Sequence, residues 1–335
     1  MADITNVYMA DKGRYEKMDY NRVGKSGLKF PAVSLGLWHN FGSVDNYENM
    51  KAMCRTAFDH GITQFDLANN YGPVYGSAES NLGRMMREDF APYRDELVIT
   101  SKAGYDMWEG PYGNYGSRKY LMASIDQSLR RMNLEYVDVF YHHRMDKETP
   151  LEETMTALAD IVRSGKALYA GVSNYDKEYT EKAAGLLREL HCPFIVNQRK
   201  YSIFERAIEE DGVKDYCQEA GIGIIAFSPL AQGLLTDRYL KGIPADSRIA
   251  RAYLPESVLT EEKQMQIKKL NELAGQRGQT LAQMALLWVL KDDGVCSVLI
   301  GASRPEQILE NIPAIRQTSF TAEELELIDS ICGLK

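Results

Sequence analysis

The chain has few cysteines: Cys54, Cys192, Cys217, Cys296 and Cys332 among 335 residues. No two make a CxxC pair and the number is odd, so neither a disulfide framework nor a metal site is expected. Thiols of this kind are expected to be buried or neutral in a reducing compartment. No stretch approaches the roughly twenty apolar residues that span a bilayer. The opening MADITNVYMADKGRYEKMDY lacks the apolar core of a secretory signal. Together these absences lead to the expectation of a cytoplasmic protein with no membrane partner. Basic residues are outnumbered, 39 Lys and Arg against 47 Asp and Glu, for a net charge of −8. A nucleic-acid partner is therefore not expected. There is no GxGxxG motif either: Gly221-Ile222-Gly223 comes before a strand-like run rather than after one. No Pro/Gly/Ser-rich linker divides the chain, so residues 1–335 are expected to form a single domain.

What is present is an alternation. Eight short apolar runs recur: Ala32–Gly36, Thr63–Leu67, Leu97–Ala103, Val137–Tyr141, Ala167–Ser173, Phe194–Gln198, Gly223–Phe227 and Ser297–Gly301. They are mostly apolar rather than alternating, as strands covered on both faces should be. Between them lie segments with helical spacing, among them Asn46–His60, Ser117–Met132, Leu151–Arg163 and Asp176–Leu190. Eight strand–helix units predict an α/β (β/α)₈ barrel, a TIM barrel. Three segments stand outside the repeat. Gly24-Lys25-Ser26-Gly27 sits between two strand-like stretches and predicts an N-terminal hairpin on the barrel floor. Ala231–Thr260 is a long loop rich in Gly, Pro and Arg, and long irregular loops are usually functional. A helix over Thr260–Arg277 and a C-terminal helical tail over Thr321–Cys332 complete the chain.

Barrel chemistry sits at the C-terminal ends of the strands. There the second run ends in Asp66, with Tyr71 five residues on; the third ends in Ser101-Lys102; the fourth leads into His142-His143-Arg144. Each residue alone has a plain alternative: Asp66 as a helix cap, Tyr71 as packing, Lys102 as a solvated charge. Together, on neighbouring strand ends, they suit an assisted general acid. A lysine beside a tyrosine favours the phenolate, an aspartate fixes the lysine, and a histidine can hydrogen-bond a carbonyl oxygen. Ser303-Arg304 opens a helix where phosphate could bind, and Arg248 could clamp a second phosphate. Both arginines could equally be surface charges.

The motifs GITQFDLANNYG, LVITSKAG, YVDVFYHH, GVSNY, VNQ, FSPLAQGLL and VLIGASRPEQILEN resemble the aldo-keto reductases from about Met18 to the C-terminus. The closer likeness, through SLGLWHNFG, FDLANNYGP, KAGYDMW, GPYG and GSRKYL, is to a branch of bacterial L-glyceraldehyde 3-phosphate reductases related to potassium-channel β subunits. The resemblance implies a barrel oxidoreductase that binds NADPH/NADP+ and reduces small or phosphorylated aldehydes, such as L-glyceraldehyde 3-phosphate or methylglyoxal. It implies a catalytic set of Asp66, Tyr71, Lys102 and His143, the histidine being the one five residues after Asp138. His142 then falls on the opposite face of its strand.

By the same likeness Ser173, Asn174 and Gln198 hold the nicotinamide carboxamide, and Phe227 stacks on its ring. Leu230, Gln232, Gly233 and Leu235 line the pyrophosphate path. Gly301, Ser303, Arg304, Gln307, Glu310 and Asn311 hold the adenosine end. Arg248 and Arg304 neutralise a 2′-phosphate, and Trp38, Asp66, Ser228, Arg238 and Ser247 complete the cofactor set. Trp38, His39, Tyr71, Trp108, Tyr112, His143 and Arg144 are the substrate candidates. Arg144 is expected either to bind a substrate phosphate or to pair with Asp146 or Glu148. The branch implies a homo-oligomer, a tetramer or octamer. Two alternatives remain at this point: an NADP(H)-binding regulatory subunit like the channel β subunits, and a Schiff-base aldolase with Lys102 as nucleophile.

Overall fold

A computed structural model describes residues 7–334 apart from 241 and 246. Two short strands, β1 (Tyr20–Arg22) and β2 (Lys29–Pro31), pair antiparallel as the predicted hairpin. The barrel strands follow: β3 (Val33–Gly36), β4 (Gln64–Asp66), β5 (Val98–Ala103), β6 (Val137–His142), β7 (Ala167–Ser173), β8 (Phe194–Lys200), β9 (Gly223–Phe227) and β10 (Ser297–Ile300). They close in the order β10-β3-β4-β5-β6-β7-β8-β9, all parallel, and closure is made by Val298 against Val33.

The helices between them show why the periodic segments fold as they do. In α1 (Tyr47–Asp59) the Asn46 side chain accepts from the Asn49 N–H and so satisfies an otherwise orphan donor. Its buried stripe is Met50, Met53, Cys54, Ala57 and Phe58, and Gly61 turns the chain at φ +85°. Next come α2 (Ser77–Met85), α3 (Arg118–Met132), α4 (Leu151–Arg163), α5 (Lys177–Glu189), α6 (Ala207–Glu210) and α7 (Val213–Ala220). After β9 come α8 (Glu261–Gln276) and α9 (Leu281–Val289), then α10 (Pro305–Asn311) and α11 (Ala322–Ile331) after β10. Helices α2, α6 and α7 go beyond the segments that the sequence singled out.

The hairpin closes the floor. Val23 and Phe30 are fully buried and pack with Val98, Val139, Ile195 and Cys296 from the lower parts of the strands. Gly24, at φ +56°, comes so near the chain that a Cβ would lie 2.1 Å from the Gly221 carbonyl oxygen. Only glycine fits there. Lys25 N–H donates to that same oxygen at 2.8 Å, and Asn21 Nδ2 donates to Cys296 O at 3.0 Å. With the floor sealed, the open mouth lies at the opposite end, where the strands finish. Among the described residues no helix is long and apolar enough to cross a membrane.

Candidate active site

The ends of β4, β5 and β6 bring three charged or titratable groups together. Asp66 and Lys102 are completely buried. Lys102 Nζ donates to Asp66 Oδ2 at 2.5 Å, to Leu67 O at 2.7 Å and to the Tyr71 hydroxyl at 3.5 Å. The other Asp66 oxygen accepts from Thr100 Oγ1 at 2.7 Å and Gln198 Nε2 at 3.0 Å. Asp66 therefore caps no helix and Lys102 is not a solvated charge. His143 lies just beyond β6, where its N–H donates to Ala103 O at 2.9 Å. Its ring meets Tyr71 edge to face at 5.8 Å and Tyr105 at 4.7 Å. His142 points the other way, as the strand period requires, and its Nδ1 bonds the Tyr175 hydroxyl at 2.6 Å.

One electrostatic expectation needs correction. Lys102 was expected to draw the Tyr71 phenol down. Instead burial first, then Asp66 and Tyr105, push Tyr71 well above its ordinary value. Lys102 is already neutralised by Asp66, and 3.5 Å from the phenol it cannot offset the desolvation of a phenolate. Tyr71 therefore keeps its proton. His143 is held well below the usual histidine range by burial and by Lys102, His142 and Arg144, so it is neutral. His142 is lowered to about 4, chiefly by burial.

That shift has a sign. A histidine whose folded pKa is depressed contributes stability above its unfolded value, near 6.5, and loses it as pH falls toward 4. His142→Gln should therefore flatten the loss of stability between pH 6.5 and 4 by up to about 1.4 kcal/mol per pH unit. Urea titrations of both proteins at several pH values would measure it; parallel pH slopes would reject it.

Around the centre, the remaining candidates divide into groups. Trp38 is half exposed at the mouth, 6.1 Å from Tyr71 and 4.2 Å from His39, ring to ring. His39 in turn packs against Tyr253 of the long loop at 5.3 Å, so that loop reaches the mouth. Trp108 lies against Tyr120 at 5.0 Å, bracing the loop after β5. Tyr112 is exposed under Lys119, and among the described residues no hydrogen bond or ring contact joins it to the central groups.

Arg144 forms no ion pair with Asp146 or Glu148 among the described residues, which corrects the expected pairing. Its Nε donates to Gly104 O at 2.9 Å and its Nη2 to Asn114 Oδ1 at 2.7 Å. The guanidinium lies between the rings of Tyr105 and Tyr115, at 4.4 and 4.6 Å. Asp146 instead accepts from the N–H groups of Gly116, Glu148 and Thr149. Both residues thus organise loops.

The cofactor candidates lie at the ends of β7 to β10 and in the segments that follow them. Ser173 Oγ donates to Gln198 O at 3.0 Å. Asn174, in a left-handed conformation at φ +59°, donates through Nδ2 to His143 O and Ser173 Oγ at 3.0 and 3.2 Å. Phe227 and Ser228 are half-buried at the end of β9. The backbone then winds tightly, with positive φ at Ser228, Ala231, Gln232 and Gly233. Leu230 is half-buried, whereas Leu235 is fully buried and its N–H donates to Leu230 O at 3.1 Å. The Leu235 side chain therefore packs inward.

In the long loop Ser247 is buried and accepts from Ala250 N–H at 3.2 Å, and Arg238 is half-buried. The Arg248 guanidinium lies beside Gly301, 3.8 Å from where a Cβ would stand, and burial lowers its pKa. No carboxylate pairs with it among the described residues. Ser303 donates to Gln307 Oε1 through its N–H at 2.8 Å and its hydroxyl at 3.2 Å. Arg304 is exposed, 3.7 Å from Glu306. Glu310 is exposed, while Asn311 is buried.

Sequence reasoning missed several supports. Glu79, fully buried on α2, accepts from Ser101 Oγ at 2.6 Å and from Arg131 Nε at 2.7 Å, behind Lys102. An acidic residue at helical spacing from the apolar Leu82 and Met86 was the available signal. Thr100 and Tyr105 left no comparable mark.

These positions can be set beside known proteins. The sequence pattern of the aldo/keto reductase family matches residues 32–332. The chain is 58% identical over 328 residues to the L-glyceraldehyde 3-phosphate reductase of Escherichia coli (strain K12), covering 96% of this chain and 95% of that one. It is 57% identical over the same length to the protein of that name in Escherichia coli O157:H7. A crystal structure of a thermostable aldo-keto reductase with the inhibitor epalrestat superposes with a TM-score of 0.74 at 30% identity, covering 94% of this chain and 100% of that one. An eight-stranded barrel with a hairpin under its floor, a family pattern along nearly its whole length, and relatives at this identity lead to one statement: the chain belongs to the aldo/keto reductase family.

Proposed function

We propose that this protein reduces small aldehydes to alcohols with NADPH, L-glyceraldehyde 3-phosphate and methylglyoxal being the leading substrates. The observation that carries the reading is the buried Asp66–Lys102 pair with Tyr71 and His143 over it at one mouth. The name of the two Escherichia coli relatives, L-glyceraldehyde 3-phosphate reductase, supports the substrate class. We further read the protein as a cytoplasmic homo-oligomer and residues 1–335 as a single domain, from the family resemblance of its sequence.

The residues fit a nicotinamide cofactor. Gln198 gives its Nε2 to Asp66 and Asn174 gives its Nδ2 to His143 and Ser173. Among the described residues neither amide oxygen takes a hydrogen bond, and two acceptors suit the amino group of a carboxamide. Arg248, a half-buried cation with no carboxylate partner among the described residues, suits a 2′-phosphate, because a buried charge is costly until an anion meets it. When bound, the nicotinamide supplies the hydride. The chain's own groups do the rest. Neutral His143 donates a hydrogen bond to the aldehyde oxygen and orients it. Tyr71 gives its proton to that oxygen as negative charge develops there. Lys102, fixed by Asp66, then holds the phenolate.

The test is NADPH consumption, followed by absorbance, on addition of glyceraldehyde 3-phosphate, methylglyoxal or a nitrobenzaldehyde. Turnover is expected. Tight NADPH binding with no turnover on any aldehyde would support a regulatory subunit instead. Arg248→Gln should raise KM for NADPH by about tenfold or more, on the scale of one lost charge-assisted contact. KM for NADH should barely change. An equal effect on both cofactors would remove the 2′-phosphate role.

A further inference from the structure

Two links tie the loops after β6 and β7 to each other, one on each side of the barrel wall. On the inner side Asn174 Nδ2 donates to the carbonyl of His143 at 3.0 Å. On the outer side the next residues back and forward, His142 and Tyr175, bond through Nδ1 and the hydroxyl at 2.6 Å. Both outer side chains are fully buried. The imidazole lies close against Gly116 in the loop after β5: a Cβ there would lie 2.9 Å from His142 Nε2 and 2.7 Å from Thr154 Oγ1. Tyr175 is anchored in turn, its carbonyl accepting from Asn197 Nδ2 at 3.0 Å and from Arg199. The outer bond thus joins three loops around His143, and neither partner reaches the mouth.

We infer that His142 and Tyr175 are positioning residues, a back-side link that holds His143 over Tyr71 and Asn174 among the cofactor candidates. The inference rests on the proposed roles of Tyr71 and His143. Its physical basis is that a segment leaving a strand frays unless a buried contact fixes it, and a displacement near 1 Å can cost about 10²-fold in rate. A histidine serves because it fills the space beside Gly116 and still meets the phenol. An aliphatic residue would fill the space and leave the buried hydroxyl unpartnered.

The test is a double-mutant cycle on the full-length protein, with kcat for the aldehyde and the NADPH dissociation constant measured separately. Tyr175→Phe, which removes one oxygen and keeps the ring, and His142→Leu should each lower kcat by about tenfold or more. Each should also weaken NADPH binding several-fold through Asn174. The double variant should be no worse than the single ones, because one link is lost in all three. His142→Asn, which places an acceptor near the position of Nδ1, should recover much of kcat. If Tyr175→Phe leaves kcat and NADPH affinity within twofold of the unsubstituted protein, the inference is overturned, even if His142→Leu unfolds. Additive losses, or a fall in melting temperature with unchanged kcat, would overturn it equally, since both describe packing alone. Tyr71→Phe and His143→Ala run in the same assay: if these turn over normally, the active-site reading itself has failed.

Discussion

Replacing Tyr71 by Phe is expected to lower kcat for aldehyde reduction by about 10²–10⁴-fold, the range lost with a general acid. Folding and NADPH binding should change little. The substitution removes only a hydroxyl whose contact with the chain is a long 3.5 Å approach from Lys102, so no strong bond is lost from the ground state. The proton that the phenol keeps through burial has no substitute: Lys102 is bound to Asp66 and Leu67 O, and His143 is neutral. The loss should appear equally in kcat and kcat/KM, as for an interaction made in the transition state alone. Single-turnover oxidation of NADPH would measure it, and a loss smaller than tenfold would assign the proton to another group.

Lys102→Met should damage both turnover and stability. Asp66 would keep its bonds from Thr100 and Gln198 but lose its paired cation, Lys102, within a fully buried setting. Breaking a buried pair from one side typically costs about 3–5 kcal/mol, because the remaining charge is uncompensated. Adding Asp66→Asn should restore much of that stability and none of the activity, since the site would still lack the ammonium beside Tyr71. Urea denaturation of the single and double variants separates the two effects. A double variant less stable than Lys102→Met alone would show that the stability loss came from packing and not from the stranded carboxylate.

The barrel was legible because its signals are local and repeated. Runs such as Ala167–Ser173 and helices such as Leu151–Arg163 fall where apolar spacing placed them. The central residues were legible for a related reason: Asp66, Lys102 and His143 stand where strands end, and strand ends in a barrel meet at one mouth. Side-chain direction was less accessible. Nothing in the spacing separates an Arg144 paired with Asp146 from one held by Gly104 O and Asn114 between two tyrosine rings. Tyr112 points outward and Leu235 inward for similar reasons, because loop geometry decides both. The protonation of Tyr71 was misjudged because its neighbour could be read from the sequence and its depth could not. Buried supports such as Glu79 and Thr100 depend on contacts between elements far apart in the chain.

The floor also sets a timetable for synthesis. Ser297 Oγ donates to the carbonyl of Pro31, across 266 positions of sequence, and β3 finds its second neighbour only in β10. On a ribosome adding about 5–20 residues per second, the first barrel strand waits on the order of 10–60 s for that partner. Until then it has an open edge, which is what stray pairing between chains exploits. The hairpin offers limited shelter, since its own anchors, at Gly221 and Cys296, also emerge late. That edge therefore stays open until β10, the last of the described strands, has left the tunnel.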